Sequence, residues 1–258
     1  MERKYDPIGV FDSGVGGISV LRELMRQMPH ESFVYYGDSA NAPYGARTPE
    51  EVCALTEAHV QQLIDRGAKA IVIACNTATG AAIRFLREKY TQIPIIGMEP
   101  AIKPAVQAYP GGRILVMATP VTLSSPGFRR LMEAHADQAE ILPAPCSQLA
   151  RMIESGRLDG EELEEYLRAE LADFLKAPPE AVVLGCTHFS LLAREIAAHF
   201  PSAHMLDAAS LGAAATAARV PTDGEGTLRF VTTDAPDRFS LCASRVLSRP
   251  VRAELILS

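Results

Sequence analysis

Short apolar runs rich in β-branched residues recur along the chain: IGVF at 8–11, FVYYG at 33–37, AIVIA at 70–74, PIIGM at 94–98, RILVMA at 113–118 and AVVLG at 181–185. Runs this short and this apolar predict buried strands. The stretches between them carry apolar residues at helical spacing, most clearly over 161–175, where positions 163, 167, 171, 174 and 175 share one face. VQQLIDRG at 60–67 and AAIRFLREKY at 81–90 read as helices too, and TPEE at 48–51 is a helix start, with Thr48 as N-cap, Pro49 at the first helical position and acids behind it. Strand and helix in alternation predict an α/β fold built on mostly parallel sheets.

The pattern also repeats. AIVIACNTATGAAIRFLREKY, from Ala70, overlays AVVLGCTHFSLLAREIAAHF, from Ala181, at an offset of 111 residues. Each copy runs from a buried strand through a cysteine and a polar turn into a helix, so Cys75 and Cys186 occupy equivalent turns. A weaker match sets IGVFDSGVGG, from Ile8, against ILVMATPVTL, from Ile114. The repeat predicts two similar parallel-sheet α/β domains related by a pseudo-two-fold axis, with a site in the cleft between them. Ligands of open parallel sheets lie beyond the carboxyl ends of the strands, where helix N-termini point. Two halves packed face to face would bring the two thiols to one cleft from opposite sides.

Composition narrows the function. A formal net charge of −6 argues against nucleic acid, whose capture needs clustered Lys and Arg. No apolar run reaches the roughly 18–20 residues that a membrane helix needs. The opening MERKYDPIGVF lacks the apolar centre of a signal peptide, so a cytoplasmic location is expected. The five cysteines, at 53, 75, 146, 186 and 242, form no CxxC pair and no metal-ligand spacing, and an odd number argues against a disulfide framework. Free thiols and no metal are expected, with Cys53, Cys146 and Cys242 structural.

Two opposed thiols suit one chemistry well. A racemase takes a proton from one face of a carbon and returns one to the other, which two bases on opposite faces achieve without moving the substrate. A thiol, with its pKa of about 8.5, is tuned downward by a helix N-terminus or a nearby cation, so one cysteine serves as base and the other as acid. Asp12, after the first strand, and His188, two residues past Cys186, are placed to orient a thiol or relay its proton. Ser13, Asn76, Thr77 and Thr187 add hydroxyl and amide groups for substrate carboxylates. Each motif alone has a plainer reading: DSGVGG as a tight turn or phosphate cradle, Asp12 as a helix cap near Gly16 or Gly17, His188 as a turn histidine. Pro43-Tyr44-Gly45 places an aromatic ring and backbone N–H groups at a cleft rim, or is an ordinary surface turn.

Taken together, DSGVGG at 12–17, GDSANAPYG at 37–45, ACNTAT at 74–79, IGMEP at 96–100, TPVTLSS at 119–125, MIESG at 152–156, LGCTH at 184–188 and LDAA at 206–209 resemble the glutamate racemases of the aspartate/glutamate racemase superfamily. The resemblance implies a pyridoxal-free enzyme, with no cofactor, that interconverts L- and D-glutamate and supplies D-glutamate for peptidoglycan. It implies Cys75 and Cys186 as the catalytic pair, assisted by Asp12 and His188, with Glu154 of MIESG as a further acid. Substrate contacts carry over to Ser13, Pro43, Tyr44, Gly45, Asn76, Thr77, Thr119, Thr122 and Thr187. It also implies a first domain of residues 1–98 plus 207–258, a second of 99–206, and a homodimer.

The chain departs from many relatives in reading GCTHFSLL rather than GCTHYPLL, which spares Cys186, Thr187 and His188 but changes the wall behind them. Asp12 lies near the start, without the extension of activator-dependent relatives, and activity without an activator is expected. Three other readings stay open: another substrate such as aspartate, which Cys-Thr-His rather than Cys-Thr-Glu disfavours; a binding protein for a small anion; and a thiol redox protein, which needs the two Cα atoms about 4.4–6.8 Å apart.

Overall fold

A computed structural model describes residues 6–256; the MERKY start, read above for a leader, and the last two residues lie outside it. Its strands are β1 (Ile8–Asp12), β2 (Phe33–Gly37), β3 (Ala70–Ile73), β4 (Ile95–Gly97), β5 (Arg113–Ala118), β6 (Glu140–Pro145), β7 (Ala181–Leu184), β8 (His204–Asp207), β9 (Leu228–Thr232) and β10 (Ala253–Leu255). All the pairings are parallel, in two sheets of order β10-β9-β2-β1-β3-β4 and β6-β5-β7-β8. The arrangement β2-β1-β3-β4 recurs as β6-β5-β7-β8, which makes β1 the counterpart of β5 and β3 of β7. These are the strands that the sequence repeat pairs.

Central strands are buried along their whole length because helices cover both faces; β1, β3 and β7 expose no residue. Alternate side chains then part into separate cores. Val10, Val72, Leu115, Met117, Val182 and Leu184 join one core that runs through both halves. Phe11, Ile71 and Ile73 face a second core under the helices Pro49–Asp65 and Asn76–Lys89. Ile114, Val116 and Val183 face a third, on the far side of the second sheet. The shared core fixes how the carboxyl ends of β1 and β3 stand against those of β5 and β7.

The helix at Pro49–Asp65 begins with the expected capping box: Glu51 N–H donates to Thr48 Oγ1 at 3.2 Å, and Thr48 N–H donates to Glu51 Oε2 at 2.9 Å. Thr48→Ala removes one arm, and a loss of about 1 kcal/mol in the urea-unfolding free energy is expected. The helix Glu161–Leu175 buries Leu163, Leu167 and Leu171, the stripe read from its spacing. Among the described residues no helix is long and apolar enough to cross a membrane.

Candidate active site

Cys75 leaves β3 and caps the helix Asn76–Lys89, whose Ala78 N–H donates to Sγ at 3.4 Å. Ser13 Oγ, on the turn after β1, lies 3.5 Å from the same sulfur. Both contacts and the helix N-terminus favour a thiolate. They are outweighed: Cys75 is only 3% exposed, and burial, then the charges of Asp12 and Cys186, push its pKa up to about 12. Asn76, next along, turns its side-chain amide to Met98 O at 3.4 Å.

Cys186 follows β7, and its Sγ lies 3.8 Å from His188 Nδ1. The other ring nitrogen, Nε2, lies 2.6 Å from Glu154 Oε1, at the end of the helix Leu149–Glu154. Val15 N–H donates to that same oxygen at 3.0 Å. Burial works against a charge on His188, but the contacts with Cys186 and Glu154 prevail and hold its pKa well above 6.5. The ring is therefore an imidazolium with one N–H toward the sulfur and one toward the carboxylate.

A charge held this way makes stability depend on pH. With the folded value above the unfolded one, the contribution of His188 is complete below about pH 6.5 and is lost as pH rises through the folded value. His188→Asn is therefore expected to lower the urea midpoint more at about pH 6 than at about pH 9, relative to wild type at each pH.

Asp12 ties the halves together. Its Oδ1 accepts from Gly14 N–H at 2.9 Å and its Oδ2 from Thr187 Oγ1 at 3.0 Å, so a carboxyl on the first sheet holds the residue that follows Cys186. It does not cap a helix: Ile18–Gln27 starts at Gly17 with no side-chain cap. Burial raises its pKa, against the pull of His188 and of the two donors. The turn that carries Asp12 comes close to the second half through its glycines. A Cβ on Gly14 would overlap the Glu154 carboxylate, and one on Gly16 would sit 2.6 Å from both His188 N and Nδ1.

Three hydroxyls close the other end of the junction. Thr77 Oγ1 lies 2.9 Å from Thr119 Oγ1 and 3.2 Å from Thr122 Oγ1, and those two are 3.0 Å apart. Thr119 follows β5 as Ser13 follows β1, and caps the helix Pro120–Ser124. The Pro43-Tyr44-Gly45 turn packs here, with a Cβ on Gly45 falling 2.7 Å from Thr119 Cβ. The Tyr44 ring is not at a rim. It is buried, because its hydroxyl donates to Asp38 Oδ2 at 2.7 Å, and a satisfied phenol is free to leave water.

The residues singled out from sequence thus line one junction, in two groups around Cys75 and Cys186. Sequence reasoning missed Gly14 and Gly16, whose signal was their place in DSGVGG, and the buried pair Asp38 and His59, of which only Asp38 fell in a quoted motif. All five cysteines are free, Cys53 and Cys242 partly exposed and Cys146 buried. Among the described residues no three His, Cys, Asp or Glu side chains are grouped as a metal would require.

Residues 8–216 match the family described as Asp/Glu/Hydantoin racemase. A glutamate racemase of Clostridium acetobutylicum is 53% identical over 197 residues, which cover 76% of this chain and 77% of that one. A glutamate racemase isoform from Bacillus anthracis superposes with a TM-score of 0.85 at 30% identity, over 98% of both chains. A Francisella tularensis glutamate racemase in complex with D-glutamate gives 0.83 at 28% identity, again over 98% of both. With two parallel sheets, a cysteine at the same turn of each and relatives this similar over most of its length, the chain belongs to the Asp/Glu/Hydantoin racemase family and, within it, to the glutamate racemases, and it is an isomerase.

Proposed function

We propose that the chain interconverts L- and D-glutamate by acid/base exchange between two thiols, Cys75 and Cys186, and so supplies D-glutamate for peptidoglycan. The observation that carries this reading is the paired placement of the thiols, each just past the equivalent strand of its sheet, at a junction tied by Asp12 to Thr187. One thiolate removes the α-proton, leaving an anion stabilised by the substrate carboxylate, and the opposite thiol protonates the other face. With its proton held as far up as about 12, Cys75 rests as the acid. The His188 imidazolium is a counter-ion for a thiolate on Cys186 and the store from which that sulfur is reprotonated, while Glu154 keeps the ring aimed. When Cys75 becomes the base, Ala78 N–H and Ser13 Oγ receive its charge.

Asn76, the hydroxyls of Thr77, Thr119 and Thr122, and the Pro43-Tyr44-Gly45 turn are assigned to holding the substrate. Both thiols are nearly sealed from water, so admission requires the halves to part. We take the parting units to be residues 1–98 plus 207–258 and residues 99–206, in a homodimer acting in the cytoplasm. The test is α-proton exchange of L- and D-glutamate in deuterated water, followed by NMR, with aspartate alongside and no added cofactor. Exchange and inversion of glutamate are expected, with aspartate slower, since one methylene is worth about 1–3 kcal/mol in a pocket. A protein that binds glutamate without exchanging its α-proton is a binding protein instead.

A further inference from the structure

Asp38 is wholly buried, stands outside the thiol machinery, and gathers three hydrogen-bond donors and the His59 ring from three parts of the chain. Tyr44 OH reaches its Oδ2 at 2.7 Å and His59 Nε2 approaches the same oxygen at 2.9 Å. Oδ1 accepts from Thr233 Oγ1 at 2.8 Å and Asn41 Nδ2 at 3.1 Å. His59 belongs to the helix Pro49–Asp65 and stacks on Phe11 with ring centres 5.6 Å apart. Thr233 follows β9, and its Oγ1 also receives Ala40 N–H at 3.0 Å. Asp38 itself is anchored to the site, since its N–H donates to the backbone carbonyl of Asp12 at 3.0 Å.

Three converging donors and a close imidazole make this carboxylate a hub. Burial opposes its charge, but His59, Tyr44 and Thr233 overcome that and keep its pKa below the ordinary value. What the hub holds is the loop 39–47. Asn41 and Tyr44 are fastened directly, and Arg47 is fastened through Asn41, to whose carbonyl its Nε donates at 2.8 Å. Between those fixed points lie Pro43 and Gly45, and Gly45 is pressed on Thr119 of the other half. A neutral side chain at 38 would keep the volume but face the donors with an amide N–H, leaving at least one buried donor unpaired.

We propose that Asp38 is a positioning residue, paired with His59, that holds the Pro43-Tyr44-Gly45 loop in its substrate-binding shape across the junction and thereby sets affinity without taking part in proton transfer. The proposal rests on the glutamate racemase reading for its kinetic part alone.

The experiment compares wild type, Asp38→Asn and Tyr44→Phe by amide hydrogen exchange of the 39–47 segment and by steady-state racemisation of glutamate. For Asp38→Asn the loop amides are expected to exchange at least about tenfold faster, and KM to rise about tenfold or more, the scale of one lost charge-assisted hydrogen bond, with kcat nearly unchanged. Tyr44→Phe, which keeps the ring and removes one donor, is expected to shift both in the same direction by less, and it carries the test if Asp38→Asn does not fold. Unchanged loop exchange, or faster exchange with unaltered KM, overturns the proposal, as does a fall in kcat at constant KM. If wild type fails to turn over glutamate, the functional reading falls, while the amide exchange still decides whether Asp38 holds the loop.

Discussion

Cys75→Ala and Cys186→Ala each abolish racemisation of glutamate, with a fall in kcat of about 10²–10⁴-fold or more, the range over which a positioned acid or base contributes. The informative part is what survives. Each variant keeps one sulfur on one face of the substrate, so slow wash-out of the α-proton is expected from one enantiomer without inversion, and from the opposite enantiomer in the other variant. NMR in deuterated water reads exchange and inversion in the same tube. Variants that each exchange both enantiomers, or still invert either, would show that a single base serves both faces and would remove the two-thiol mechanism. The retained side should also keep its own surroundings: Cys186→Ala leaves Cys75 with Ser13 and Ala78, and Cys75→Ala leaves Cys186 with His188.

Gly16→Ala is expected to damage both stability and turnover. The new Cβ would meet His188 N and Nδ1 at 2.6 Å and Thr187 Oγ1 at 2.8 Å. One of those atoms is backbone and cannot swing away, so the turn after β1 must retreat from the turn after β7. Retreat lengthens Thr187 to Asp12 and shifts the ring that faces Cys186. Overpacking of this kind costs about 1–3 kcal/mol in stability. The loss of alignment is expected to lower kcat/KM by about 10²-fold, since misplacement of roughly 1 Å has that effect. Unfolding midpoints and steady-state kinetics measured together check both. A variant with lowered stability and unaltered kcat/KM would mean that the contact between the two turns is structural only.

The parts of the fold legible in the sequence are those whose burial is uniform. β1, β2, β3, β5 and β7, interior to their sheets, announce themselves as apolar runs because helices cover both their faces. β6, β8 and β10 are edges that are half exposed and so escape notice, whereas β4, also an edge, keeps Ile95 and Ile96 buried; EILPAP even carries two prolines, which an edge tolerates and a centre does not. β9 lies inside its sheet, but Arg229 interrupts its apolar pattern. The helix Pro49–Asp65 starts where its capping residues say, well before the VQQLIDRG stretch that betrays it by periodicity.

The site divides in the same way. Strand–cysteine–helix is a local pattern, so Cys75 and Cys186 stand out with their neighbours. Partnerships across the fold do not: Glu154 and His188 are 34 positions apart, Asp12 and Thr187 175, and Thr77 and Thr119 42. The Asp38–His59 contact leaves no local trace at all, since an acid in a turn and a histidine on a helix read as ordinary surface until the helix is laid beside the sheet. Tyr44 shows the opposite error, a residue placed at a rim from its turn and buried by a partner that the turn does not reveal.

The two sulfurs hold matching places in a repeated strand order yet have unlike company, a hydroxyl and a helix N-terminus at one, an imidazolium and a carboxylate at the other. Enantiomers have equal free energy in water, so the Haldane relation requires kcat/KM to be the same in both directions whatever the surroundings do. The unlike company can therefore express itself only within each direction, as compensating differences in turnover and in saturation. Any change at 38, 154 or 188 must lower the two specificity constants by one common factor, even when it alters the two turnover numbers unequally.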